Sequence, residues 1–205
     1  MAIIIGLLIV FLIIISVFLV TTLTHKSKTN NNFPLPEIKT FNMIDLDQIT
    51  YYKGDVLEGI TENNIDETRI LLHICNNRGG WGAGFVLALS KKWKQPEMEY
   101  RECFRKKINF ELGKIQPVKI EDNIHVVNMV AQNGYRTVNN PTPLDYNALS
   151  ECLNTVMVWI DENNFISPVI YCPKIGTGLS GGDWEHIKQI LQNELSEIPI
   201  RVYEL

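Results

Sequence analysis

Two glycine-rich segments carry the residue types that bind anions. The first, GGWGAG at residues 79–84, puts four glycines in six positions and follows the apolar run Ile70–Cys75. An amphipathic segment, Val86–Trp93, comes after it. Strand, glycine loop and helix in that order present backbone N–H groups and a helix N-terminus to a phosphate. Glycine is needed where phosphate lies against main chain, because a side chain would hold the ligand off. The segment lacks the Gly-Lys-Ser/Thr ending of a P-loop, and the spacing of Gly80, Gly82 and Gly84 is not the dinucleotide fingerprint. A second segment, GTGLSGG at residues 176–182, follows the apolar run Val169–Cys172 and precedes another helical pattern. Two such loops from neighbouring strands can clamp a diphosphate from both sides through amides and helix dipoles. For either loop alone, a tight turn after a core strand is the competing reading. Arg78 is the only cation in either loop, so the expected receptor is preorganised and neutral.

Composition narrows the chemistry further. The chain has 205 residues, 45% hydrophobic and 20% charged, with a formal net charge of -4. This is globular composition with no basic face, which argues against duplex nucleic acid as a partner. Cys75, Cys103, Cys152 and Cys172 are scattered without CxxC or Cys/His spacing, so neither a zinc site nor any other metal is expected. Thiols inside apolar runs behave as small hydrophobes, and the pattern fits a reducing compartment.

Stepping along the chain, strands alternate with helices. Ile49–Tyr52, Ile70–Cys75, Val169–Cys172 and Ile200–Tyr203 read as strands, and Ile115–Ile120 and Ile124–Val130 as two more joined by a hairpin-like turn at Glu121, Asp122 and Asn123. Val86–Trp93 and the charged Glu97–Lys107 read as helices, as does Tyr146–Ile160, where Leu149, Leu153, Val156 and Ile160 recur at helical period. Asp183 or Ser180 is the expected cap of a last helix running to Leu195. The order predicts an α/β protein with a mostly parallel or mixed sheet covered on both faces.

The N-terminus differs in kind. Residues 2–20 contain no charge, and taken to Leu23 the run is about 30 Å long as a helix, the thickness of a bilayer core. It has no positive n-region, is longer than a signal-peptide core and lacks a small-x-small site, so the expectation is one retained transmembrane helix at 2–23. Lys26 and Lys28 on its C-terminal side place the rest of the chain in the cytoplasm. Residues 24–42, with consecutive asparagines and two prolines, read as a flexible linker, leaving 43–205 as the folded domain.

Five blocks in order make residues 49–205 resemble a macro domain, the ADP-ribose-binding module: ITYYKGDV (49–56), HICNN (73–77), GWGAGFV (80–86), PKIGTGL (173–179) with Trp184, and VYEL (202–205). The resemblance is greatest to the branch of ADP-ribose 1″-phosphate phosphatases. It implies a three-layer α/β/α mixed sheet, a phosphatase of ADP-ribose 1″-phosphate, no cofactor, and a monomeric domain tethered to a membrane through residues 2–23. Residue by residue it places Asp55 and Val56 at adenine, and Cys75 and Asn76 at the strand end that meets the distal ribose. Trp81, Gly82, Ala83, Gly84, Phe85 and Val86 then form one phosphate loop, and Ile175, Gly176, Thr177, Gly178, Leu179, Ser180 and Gly181 the other. Tyr203 either borders the adenine or belongs to the core. The related glutamate-directed branch uses a lysine and an aspartate, where the aligned stretches here give residues 130–133 (VAQN) and Ser180; the larger de-ADP-ribosylating branch has an acid where this chain has residues near Val86. Asn76, Asn77, His73, Gln132 and Asp183 are the remaining catalytic candidates. His73 is also a core histidine by its apolar setting, and Asp183 also a helix cap. An ADP-ribose reader without turnover, or a hydrolase removing ADP-ribose from side chains, are the alternative readings.

Overall fold

The computed structural model describes residues 48–62 and 66–205. The expected anchor at 2–23 and linker at 24–42 lie outside the described residues, as do 43–47 of the expected domain. Among the described residues no helix is long and apolar enough to cross a membrane.

Among the described residues six strands and five helices follow one another: β1 (Ile49–Lys53), α1 (Val56–Gly59), β2 (Thr68–Asn76), α2 (Phe85–Lys92), α3 (Gln95–Lys106), β3 (Ile115–Glu121), β4 (Ile124–Gln132), α4 (Tyr146–Glu162), β5 (Pro168–Pro173), α5 (Trp184–Glu194) and β6 (Ile200–Glu204). They form one mixed sheet in the order β1-β6-β5-β2-β4-β3. All neighbours are parallel except β3 and β4, the hairpin expected from sequence, which pair antiparallel with Ile115 opposite Met129.

The sheet is central because its strands are apolar on both faces. Along β2, Ile70 and Leu72 join one core cluster while Leu71 and Cys75 join the other, the period-2 alternation of a strand buried twice. The first cluster is roofed by Leu149, Leu153 and Val156 of α4 and by Ile187 and Leu191 of α5. The second is roofed by Val56 and Leu57 of α1, Leu89 of α2, and Tyr100 and Cys103 of α3. All four cysteines are buried and unbridged. Burial pushes the Cys172 thiol up to about 12, so it acts as an apolar side chain here.

Helix starts are set locally. Asp145 caps α4 by accepting from Ala148 N at 3.0 Å, and Asp183, not Ser180, caps α5 by accepting from His186 N at 2.9 Å. Because β2, β4 and β5 run parallel and adjacent, their C-terminal ends open on one edge of the sheet, where ligands collect in such folds.

Replacing Leu153, fully buried on α4, by alanine should lower unfolding stability by about 2–5 kcal/mol in denaturant titration. A loss below about 1 kcal/mol would mean that α4 is not packed on the sheet.

Candidate functional site

Three connections meet at that edge. The first leaves β2 and is shaped by Asn76. Its Oδ1 accepts from Arg78 N at 2.9 Å and Gly80 N at 3.1 Å, while its Nδ2 donates to Gly80 O at 2.7 Å. The Tyr100 hydroxyl donates to Asn76 O at 2.6 Å, tying the turn to α3. Trp81 then leaves the loop for the core: it is 4% exposed and its indole N–H donates to Ser90 Oγ at 2.7 Å. Ser90 in turn donates to Glu97 Oε2 at 2.7 Å, and this bond holds the Glu97 carboxyl below its ordinary range. Gly84 caps α2 with φ 74 and ψ -149, a conformation open essentially to glycine alone.

The second connection leaves β5. Gly182 N donates to Gly176 O at 2.8 Å, Gly181 N to Gly178 O at 3.1 Å, and Thr177 Oγ1 to Lys174 O at 2.8 Å. These bonds curl the loop so that the amides of Thr177, Gly178, Leu179 and Ser180 find no acceptor among the described residues, and the same holds for Gly82, Ala83 and Gly84 in the first loop. The third connection leaves β4 and had no expected role. Tyr135 packs on Gly80, where an added Cβ would lie 2.6 Å from the Tyr135 hydroxyl, and Arg136 Nη1 lies 3.5 Å from Gly178 O.

Together they enclose a cleft of about 830 Å³, whose lining includes Asn76, Gly82, Phe85, Gln132, Arg136, Lys174, Gly178 and Ser180. Among the described residues no aspartate or glutamate lines it, although the chain as a whole is acidic. Two cations do, which replaces the neutral receptor expected from the loops alone: Lys174 and Arg136 arrive from outside the glycine runs, whereas Arg78 is not in the lining.

Two glycines have no explanation in packing or backbone conformation. An added Cβ on Gly82 or Gly178 would meet no heavy atom within 4 Å, and neither has positive φ. An added Cβ on Gly80 would push the Tyr135 ring aside, and one on Gly182 would meet Leu144 at 2.3 Å and Gly176 O at 3.0 Å. Gly82 and Gly178, one per loop and both lining the cleft, are demanded by neither packing nor backbone conformation.

The expected site residues divide by placement. Cys75, Asn76, Gly82, Ala83, Gly84, Phe85, Val86, Ile175, Gly176, Thr177, Gly178, Leu179 and Ser180 line the cleft. Trp81 does not, because its indole is drawn into the core. Val56 is 3% exposed in the same core cluster, and Asp55 Oδ1 accepts from Leu57 N at 2.8 Å as the cap of α1, so neither lines the cleft. Gly181 turns away beneath the third loop, where an added Cβ would lie 2.7 Å from Pro141 O.

Of the catalytic candidates, Asn76 is committed to its own loop and Asp183 to the α5 cap. Asn77 accepts from Gly134 N at 2.9 Å and donates to Asn133 Oδ1 at 3.2 Å, which anchors the third loop rather than the cleft. Gln132 and Ser180 meet in the lining, the Ser180 hydroxyl donating to Gln132 Oε1 at 2.6 Å. An amide oxygen is no base, so this pair offers no activated nucleophile.

His73 reaches the cleft floor but is 2% exposed. Its Nε2 lies 2.6 Å from Asn128 Oδ1, and Asn128 Nδ2 donates to Pro96 O at 3.0 Å. Nε2 therefore carries the proton and Nδ1 faces Cys75 Sγ at 3.8 Å. Burial lowers the His73 pKa from 6.5 to about 4, against the opposing pull of the Asn128 bond. The folded histidine is neutral at pH 7. Below its unfolded pKa of 6.5 the unfolded chain takes up a proton that the folded one refuses until about 4. Stability is complete above 6.5 and falls by about 3 kcal/mol as pH drops to about 4. Urea unfolding across that window should show this decline, to which His125, also lowered by burial, adds, and His73→Gln should reduce the slope; an unchanged slope would place the titration elsewhere.

No family model matches the chain. A solved protein of unknown function from Bacteroides thetaiotaomicron is 40% identical, with a TM-score of 0.69, and covers 77% of this chain and 98% of its own. A macrodomain protein from Streptomyces coelicolor is 34% identical with a TM-score of 0.63, covering 77% and 99%. An ADP-ribose 1″-phosphate phosphatase from Candida albicans is 26% identical over 157 residues, 76% of this chain and 98% of that protein.

Proposed function

This chain belongs to the macrodomain family, and on that premise we propose that it binds ADP-ribose and releases phosphate from ADP-ribose 1″-phosphate. The observation that carries the binding is the pair Gly82 and Gly178, glycines that fold and packing do not require. A diphosphate laid against both would accept from the amides around them, in a lining with no carboxylate to repel it. The similarity to a protein named for this phosphatase activity supports the substrate. In the reaction water attacks phosphorus, the P–O bond to the 1″-oxygen breaks, and that oxygen takes a proton as phosphate leaves. The loop amides would hold the diphosphate and so fix where the terminal phosphate sits for attack.

A reader without turnover is the second reading, favoured by the commitment of Asn76, Asn77 and Asp183 to structure. Removal of ADP-ribose from side chains fits less well. The stretches that resemble the lysine and aspartate positions of that chemistry, residues 130–133 and Ser180, hold no lysine and no aspartate, and Ser180 is bonded to the neutral Gln132.

Incubating the full chain with ADP-ribose 1″-phosphate should release inorganic phosphate. Gly82→Glu should fold normally, since its Cβ meets nothing within 4 Å, yet lose ligand by roughly 100-fold or more through like-charge repulsion. Unchanged binding by this variant would refute the loop assignment, and binding without phosphate release would leave the reader.

We also propose that residues 2–23 anchor the chain to a membrane with the domain on the cytoplasmic side, on their hydropathy and on Lys26 and Lys28. The chain should then stay in the membrane pellet through carbonate extraction, and loss to the supernatant would end the anchor.

A further inference from the structure

We propose that Arg136 is the residue that reads the terminal phosphate, so that the third loop makes the site selective for a phosphorylated sugar over ADP-ribose itself. This rests on the ligand reading above and goes beyond it by naming the side chain that discriminates.

Residues 133–143 form a strap across the cleft, and the strap is braced. Asn133 N donates to Pro143 O at 2.8 Å, and Thr137 and Asn140 pair through bonds of 3.0 and 3.1 Å. The Asn140 amide donates to Asn133 O at 3.0 Å and Tyr135 O at 3.2 Å, and Gln132 Nε2 donates to Gly134 O at 2.8 Å. Tyr135 rests on Gly80 of the first loop, and Arg136 reaches Gly178 of the second. The strap thus spans both glycine loops, with Arg136 facing the space between them.

The charge of Arg136 has no counter-ion. It enters no salt bridge among the described residues, and its one contact, at 3.5 Å to Gly178 O, sits at the outer limit of a hydrogen bond. Lys174, the other cation of the lining, is already neutralised by Glu204 at 2.6 Å. A guanidinium has five donors in a planar fork suited to phosphate, and among the described residues those of Arg136 meet no acceptor but Gly178 O.

Position decides which phosphate it meets. Lys174 leaves β5 toward β6, where it lies 5.8 Å over the Trp184 ring beside Tyr51. Arg136 leaves β4 on the other side of β2, where Asn76, Gln132 and Ser180 make a polar wall. With the diphosphate across Gly82 and Gly178, the outer sugar in this proposal lies at the Arg136 end, where Asn76, Gln132 and Ser180 give the lining its polar groups, and the base at the Lys174 end. A monoester on that sugar then comes under Arg136, paired as a charge-assisted bidentate contact.

The test is displacement of a fluorescent ADP-ribose conjugate from the full chain, read before turnover, by ADP-ribose and by ADP-ribose 1″-phosphate. The natural chain should prefer the phosphorylated ligand by roughly 10- to 100-fold. Arg136→Gln should weaken the phosphorylated ligand by about tenfold or more beyond any loss for ADP-ribose and so remove the preference, Arg136→Lys should restore part of it, and added salt should shrink it. Equal weakening of both ligands by Arg136→Gln would overturn the proposal, making the residue a general part of the site. A retained preference in that variant, or none in the natural chain, would overturn it while ADP-ribose binding stood. A natural chain that failed to bind the conjugate at all would overturn the ligand reading and this proposal together.

Discussion

The cleft depends on Asn76 closing the first glycine loop upon itself. A buried parallel strand must hand its chain to a loop without stranding polar groups, and here one side chain satisfies two amides and one carbonyl of the turn. Because a side chain does this work, the backbone that follows is not needed to brace itself. The amides of Gly82, Ala83 and Gly84 remain without an acceptor among the described residues. Tyr100 ties the same turn to α3, and Trp81 nails its far side through Ser90 and Glu97, so the open amides sit on a rigid frame. Preorganised donors of this kind need no rearrangement when an anion arrives.

Electrostatics at this edge run against the molecule's net charge. The chain carries more acid than base, yet the cleft lining has two cations and no carboxylate. Lys174 is balanced by Glu204 and Arg136 is not, so the field within the cleft is positive toward the β4 side. An anionic ligand would be oriented as well as held by that asymmetry.

Beneath the site lies a buried polar chain, from His73 through Asn128 to Gln116, whose amide donates to Asn109 O at 2.8 Å. It joins β2, β4 and β3 to the loop after α3, and its members are nearly inaccessible. A histidine in this setting is a structural member held neutral by burial, which is why its place in an apolar run identified it as well with the core as with chemistry.

The alternation of apolar runs and turn residues was enough to specify six strands, the β3–β4 hairpin, four of the five helices and both glycine loops, because period and glycine placement are local properties of the chain. The short α1 was not legible: its one turn is set by the Asp55 cap and by packing of Val56 and Leu57 on the sheet. The destination of each side chain was not local either. Trp81 and Gly82 are adjacent in a loop that reads as one binding segment, yet the indole turns to the core and only the glycine meets the cleft. Ser180 and Gln132 are 48 residues apart and become partners only because β4 and β5 flank β2. Arg136 lies in a polar stretch with no motif, and its role arises from the loop after β4 folding across two others. Sequence by itself thus determined the elements and the loops able to bind an anion. Tertiary structure decided which residues face it, since that depends on strand order and on long-range contacts that no local pattern encodes.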